Sequence, residues 1–381
     1  MFDLTLALNL TLHTFSLEKG SLRFPTPRRL VNVLITLPCF FVLIVTNRFF
    51  MLLDHLIFPG FGKMKVSNLV FITGVPRSAT TYLYKLLTED KHNFTCFKLW
   101  ELLFAPSIIQ KHILSWVLKI DGVIGRPLYR ASHLFDRIFL ARIARIHEIS
   151  LSNPEEDEIL LIYAFASVYL SFFFPDVPAV EPHLFFDEDI SVAKRNRIML
   201  FYKKCIQRHI YFYDRDEKKY FVSKNPSFIA KTTSLAETFE NARLIYMLRS
   251  PLKTIPSTIS LNKNIYSLFS GTLNSNPLSA KTREAIIRWY EMANTSLVSR
   301  WQHRSITVPF RKVTTDPATT LSDIYTFLKR TPEGSITRRI NIEQQSRSKH
   351  VATHAYESVV GDDILVRKLD FIFEGPFRDD L

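Results

Sequence analysis

Cysteine is scarce. The 381 residues hold three, Cys39, Cys96 and Cys205, with no C-x-x-C spacing among them, and Cys39 sits inside the most apolar stretch. This composition sets aside a disulfide scaffold and a thiolate zinc site. Long runs of Lys and Arg are also missing, and the basic residues are not interleaved with aromatics as in a nucleic-acid module, so DNA and RNA are not expected as partners. No internal repeat is found, which sets aside solenoids and propellers. What the chain does have is positive charge, 49 Lys plus Arg against 36 Asp plus Glu, for a formal net charge of +13. That excess favours anionic partners, either a phosphorylated small molecule or a membrane surface. With 47% hydrophobic residues the chain can bury one large core, preceded by an N-terminal extension.

The extension raises the question of a membrane. Leu30 to Thr46 form a nearly unbroken apolar run after Arg28 and Arg29, interrupted by Asn32 and Pro38. At about 1.5 Å per residue this run just reaches across a hydrocarbon core of roughly 30 Å. A cleaved signal peptide fits poorly: the run begins late, Asp3 stands near the start, and no small-x-small site follows. A retained, membrane-associated segment over residues 1–65 is expected. The alternative is a buried core helix, or a hairpin with the next apolar stretch, Phe49 to Phe58.

Residues 66–381 read as one domain. Short β-branched or aromatic runs at Leu69–Thr73, Phe94–Lys98, Tyr220–Ser223, Leu244–Leu248 and Ile306–Phe310 alternate with helical patterns, the signature of an α/β fold with a parallel sheet flanked by helices. The helix expected most strongly runs over Pro154–Phe173, with Asn153 as its cap and Glu155, Glu156 and Asp157 in the first turn. The Ser- and Asn-rich stretch Leu261–Ala280 reads as a mobile connection.

Two segments carry chemistry. In Val70-Phe71-Ile72-Thr73-Gly74-Val75-Pro76-Arg77-Ser78-Ala79-Thr80-Thr81, a strand passes through a tight loop into a helix, presenting backbone N–H groups and a helix N-terminus to an anion. The loop is P-loop-like, but Ala79 stands at the second Gly position of G-x-x-x-x-G-K-[ST] and Thr80 replaces its Lys, which disfavours a Mg-dependent nucleotide kinase or triphosphatase. The cation is Arg77, inside the loop, with hydroxyls on Ser78, Thr80 and Thr81. Further on, Arg249 ends a strand and Ser257, eight positions later, lies on the following helix, a pair able to grip one phosphate from two sides.

Together the two segments resemble the 5′-phosphosulfate loop and the 3′-phosphate motif of sulfotransferases that use 3′-phosphoadenosine-5′-phosphosulfate (PAPS). In that family the loop usually reads Pro-(Arg or Lys)-Ser-Gly-Thr-Thr, so Ala79 is a departure. If its position needs φ > 0, the methyl group costs about 1 kcal/mol. The likeness extends to Leu99-Trp100-Glu101, to His147 with Pro154-Glu155-Glu156, to Ser223-Lys224-Asn225-Pro226 and to Asp316-Pro317, a pattern found in many bacterial sulfotransferases.

The resemblance implies sulfuryl transfer from PAPS to an acceptor hydroxyl or amine by in-line displacement, without a metal. It implies Glu101 as general base, with His147 as the alternative. Arg77 would contact the phosphosulfate and Lys224 the bridging oxygen. Ser78, Ala79, Thr80, Thr81, Arg249 and Ser257 would bind the nucleotide. The abundance of Phe and Tyr, above all in Tyr163–Phe174, fits either ordinary core packing or an apolar, lipid-like acceptor near a membrane. A catalytically silent, membrane-associated nucleotide-binding protein of the same fold is the other reading.

Overall fold

A computed structural model describes residues 9–17, 21, 23–141, 149–270 and 275–333. Helices of eight residues or more are numbered. They are α1 (Pro27–Ile57), α2 (Thr80–Thr88), α3 (Ile108–Val123), α4 (Pro127–Phe135), α5 (Val192–Tyr213), α6 (Pro251–Ser270), α7 (Ser275–Ser299) and α8 (Pro317–Leu328). The strands are β1 (Leu69–Thr73), β2 (Phe94–Thr95), β3 (Tyr220–Lys224), β4 (Arg243–Leu248) and β5 (Ser305–Pro309). The chain divides into two compact units. The first comprises Met1–Ser67, Phe97–Lys218 and Lys263–Ser275; the second comprises Asn68–Cys96, Lys219–Asn262 and Asn276–Leu381.

The second unit holds the sheet. Its order is β2-β3-β1-β4-β5 and every pairing is parallel. β1 and β3 are buried along their whole length, so they read in sequence as continuous apolar runs rather than alternating ones. Val70 and Ile72 join one core with Leu83 and Leu87 of α2 and Ile324 and Leu328 of α8. On the other face Phe71 meets the rings of Phe228, Phe239 and Trp301 at 5.6 to 6.5 Å. The register sets Ile72 beside Lys224 and Thr73 beside Tyr246, so the C-terminal ends of β3, β1 and β4 lie side by side.

The five expected strands are present, with one shortened. The strand expected over Phe94–Lys98 stops at Thr95. Beyond it the chain turns to another partner: Glu155 donates its N–H to the Phe97 carbonyl, and Lys98 bridges to Pro154. That contact also overturns the helix expected over Pro154–Phe173. The segment is extended at its start and then forms two short helices, Glu158–Ile162 and Leu170–Phe173. Phe165 between them is left-handed, at φ 52°, and the buried Glu158 carboxylate accepts the Val168 N–H, a bond that a continuous helix would not offer. The stretch Leu261–Ala280, expected to be a mobile connection, is helical wherever it is described, because α6 runs to Ser270 and α7 begins at Ser275.

In the first unit, α1 is a single helix of 31 residues that carries Pro38 in its interior. It joins both apolar stretches read from the sequence, and it is long and apolar enough to cross a membrane. One side of it carries polar groups that bond to the rest of the unit. Arg29 donates to the Thr14 and Phe173 carbonyls, Asn32 to that of Leu268, and Asn47 to that of Leu103. Asp54 is fully buried and does more. Its two oxygens accept the N–H groups of Ile108 and Ile109 at the start of α3, and one of them pairs with Arg208 of α5 at 2.8 Å.

Asp54→Ala therefore strips a buried guanidinium of its counter-ion and two N–H groups at a helix start of their acceptor. It is expected to lower the unfolding free energy by about 3–5 kcal/mol, read as a lower denaturant midpoint at unchanged slope. A loss below about 1 kcal/mol would mean that Arg208 is compensated by its bonds to backbone carbonyls.

Candidate active site

The loop after β1 is shaped by its neighbour β4. A Cβ on Gly74 would lie 2.4 Å from the Met247 carbonyl oxygen, so only glycine lets the chain leave the strand there. Two residues then take the left-handed conformation, Arg77 at φ 70° and Ala79 at φ 65°. The position of Ala79 thus does call for φ > 0, and the methyl group costs about 1 kcal/mol at the N-cap of α2. Thr80 and Thr81 open that helix, with its free backbone N–H groups and positive end directed into the loop.

The two motifs meet within this unit. Arg77 donates from Nε to Ser257 Oγ at 3.0 Å, and Arg249 donates from Nη1 to the Arg77 carbonyl. Arg249 is also stacked on Phe310, 4.0 Å from the ring centroid, and its own carbonyl accepts the Tyr290 hydroxyl. The Arg249–Ser257 pair and the phosphosulfate-type loop are therefore two sides of one polar cluster. Lys224 ends β3 with its ammonium buried, 5.9 Å from the Tyr84 ring centroid, and the strand register sets its backbone beside Ile72.

Three hydroxyls at this edge were not singled out together by sequence. Ser78 Oγ, Ser250 Oγ and Thr258 Oγ1 are buried and have no hydrogen-bond partner among the described residues. A buried unsatisfied hydroxyl costs about 1–3 kcal/mol, and three of them at one sheet edge call for a partner. Each lies next in the chain to a residue of the polar cluster, Arg77, Arg249 or Ser257. Ser250 and Thr258 had one signal in the sequence, their position next to Arg249 and Ser257.

Glu101 belongs to the first unit. It lies on the short helix Leu99–Phe104, where its Oε2 accepts the Lys98 N–H and caps the first turn. Its Oε1 is 3.0 Å from the Lys111 ammonium and 3.5 Å from His209 Nδ1, and all three side chains are at most 1% exposed. Burial alone pushes the Glu101 carboxyl up, but Lys111, His209 and the Lys98 N–H outweigh it and hold the group at about 2. Burial pushes His209 down against the opposing pull of Glu101. His147 lies outside the described residues.

These shifts fix a pH dependence. Unfolded His209 takes a proton near 6.5 while the folded residue resists it, so the unfolded state binds more protons and stability falls as the pH drops through 6.5. Glu101 adds a second loss: its folded value lies below its ordinary 4.5, and the stability it contributes disappears between 4.5 and about 2. The melting temperature is thus expected to decline from pH 7.5 toward 5, with His209→Gln flattening that part of the curve. A wild-type curve flat over this range would show that His209 is stabilised in its charged form.

A model of the "Sulfotransferase family" matches residues 69–332, most of the chain. The omega-hydroxy-beta-dihydromenaquinone-9 sulfotransferase Stf3 of Mycobacterium bovis is 27% identical over 210 residues, 52% of this chain and 46% of the relative, and the Mycobacterium tuberculosis protein matches equally. The chain thus spans about half the length of these curated relatives. Among solved structures, sulfotransferase STF9 from Mycobacterium avium superposes with a TM-score of 0.74 at 16% identity, over 97% of this chain and 95% of that one. Sulfotransferase STF1 from Mycobacterium tuberculosis superposes with a TM-score of 0.64 at 19% identity, over 85% and 82%. At such identities these likenesses establish the fold. With the family model covering the whole sheet and both motif segments, the chain belongs to the sulfotransferase family.

Proposed function

We propose that this protein transfers a sulfuryl group from PAPS to a hydroxyl or amine on an apolar, lipid-like acceptor, at a membrane. The observation that carries this reading is the contact of Arg77 with Ser257 across the two motifs, joined by Arg249 on the Arg77 carbonyl. A single-phosphate nucleotide would leave half of that cluster unused. In the proposal, the loop from Gly74 to Thr81 holds the 5′-phosphosulfate, and Arg249 with Ser257 holds the 3′-phosphate. Arg77 and Lys224 meet the charge that grows on the bridging oxygen as the sulfuryl group leaves.

Two observations support a lipid-like acceptor. Within the first unit, a groove beside α1 is lined by Val33, Leu37, Phe40, Phe173 and Phe174, with Arg29, Asn32 and Thr36 as its polar residues. The curated relatives carry the name of an enzyme acting on a menaquinone. The length and apolarity of α1 support the membrane. Turnover of labelled PAPS against long-chain alcohols, glycans and peptides tests the proposal. Tight nucleotide binding with no turnover on any of them would make this a silent member of the family.

The acceptor proton needs a base, and the sequence nominates Glu101 first and His147 second. The Glu101 carboxylate is buried and already engaged by Lys111, His209 and the Lys98 N–H, whereas histidine is the side chain used most often for general base catalysis. The proposal therefore gives proton transfer to His147 and leaves Glu101 to position Lys111 and the helix Leu99–Phe104.

The 3′-phosphate assignment predicts that Arg249→Ala weakens 3′-phosphoadenosine-5′-phosphate by about 2–3 kcal/mol, with adenosine 5′-phosphate barely affected, both read by calorimetry. Equal losses would show that Arg249 acts only by holding the Arg77 carbonyl. The base assignment predicts that His147→Ala lowers kcat by about 10²–10⁴. Glu101→Gln combined with Lys111→Met removes both buried charges together and should keep turnover within about tenfold. The reverse pattern, in folded variants, returns the base to Glu101.

A further inference from the structure

The helix α1 passes every compositional test for a membrane span, yet its contacts are those of a helix lying along a protein surface. A span over Leu30–Thr46 would have to leave the unit, but that stretch is fastened at both ends and in the middle. Asn32 bonds to the Leu268 carbonyl at 2.9 Å, Phe40 meets the rings of Phe165 and Phe173, Ile44 is fully buried, and Asn47 bonds to Leu103. On the opposite side runs a stripe of Ile35, Val42, Val45, Phe49, Leu52 and Leu56, each 56–76% exposed. Its spacing of three, four and seven residues keeps it on one face. Along the axis it measures about 32 Å.

A second exposed stripe lies on α3, which packs against α1: Ile113, Trp116, Ile120 and Val123. The helices α1, α3 and α4 contain only two acidic residues, and both are turned inward. Asp54 pairs with Arg208, and Asp121 accepts the N–H groups of Leu128 and Tyr129 at the start of α4. The exposed charges on these helices and the turn between α3 and α4 are cations: Arg28, Lys119, Arg126 and Arg130. A stable apolar face of this extent, without an exposed carboxylate and with arginine and lysine around it, matches the chemistry of an anionic lipid surface.

We propose that the α1 and α3 stripes together form a monotopic membrane-binding face, with α1 lying in the plane of an anionic bilayer leaflet rather than crossing it. Apolar side chains enter the acyl boundary and the cations meet lipid phosphates. The inference rests on the membrane association proposed above and not on sulfuryl transfer.

Trp116, 65% exposed on α3, is the natural reporter. The full-length protein, freed of detergent, is mixed with phosphatidylcholine vesicles with or without phosphatidylglycerol, in a second series with acyl chains brominated near the headgroup. The expected result is about tenfold or more stronger binding with phosphatidylglycerol, weakened by salt. Bromine should quench a tryptophan signal that Trp116→Phe removes, while Val42→Glu with Phe49→Glu abolishes binding at unchanged melting temperature. Binding without quenching of Trp116 would mean that α1 inserts alone, which overturns this face and leaves membrane association standing. No vesicle binding overturns both, and so does a lipid-free dimer that the α1 substitutions dissociate, since a second copy would then cover the stripe.

Discussion

Everything at the edge proposed for the nucleotide depends on how closely β1 and β4 run together. The two strands are so near at Gly74 that no side chain fits against the Met247 carbonyl. This approach sets the direction in which the loop leaves the sheet. Because β4 lies against β1, the residues that follow it, Arg249 and Ser250, emerge beside the loop, and α6 returns Ser257 to bond with Arg77. Parallel pairing on the other side brings Lys224 to the same edge. One backbone contact thus organises the charges from three strands, in the crevice that open α/β sheets form at their carboxyl ends. Two left-handed non-glycine residues in six positions show the tension under which the loop holds its shape.

The first unit follows another logic, in which the buried carboxylates of Asp54 and Glu101 each meet a cation and one or more backbone N–H groups. Asp54 is answered by Arg208 and by two N–H groups at a helix start, and Glu101 by Lys111 and an N–H at another. Such pairs add little net stability compared with an apolar core, but a missing member is costly, so they fix which helix packs where.

These differences explain what could be read from the chain alone. The strands and the loop were legible because parallel strands buried on both faces leave continuous apolar runs, and because an anion loop is a local pattern. Arg249 and Ser257 were legible as a short-range pair. The setting of Glu101 was not: Lys111 lies on a different helix and His209 more than a hundred residues away, and no spacing rule connects them. The helix misread over Pro154–Phe173 failed for the same reason, since a bond from the Val168 N–H to the Glu158 carboxylate and a contact with Phe97 compete with helical periodicity. In α1, Asn32 and the later Asp54 read as interruptions of apolar stretches. They are the groups by which the helix is fastened.

The distance between Asp54 and Arg208 along the chain, 154 residues, has a consequence in time. At about 5–20 residues per second, roughly 8–30 s of synthesis separate the carboxylate from its guanidinium. During that interval α1 and the two N–H groups of α3 that Asp54 accepts have been made and α5 has not, so the carboxylate has its helix-start donors but no counter-ion. Until α5 follows, Asp54 holds the start of α3 as an uncompensated carboxylate, so the order of synthesis builds the α1–α3 contact before the ion pair that neutralises it.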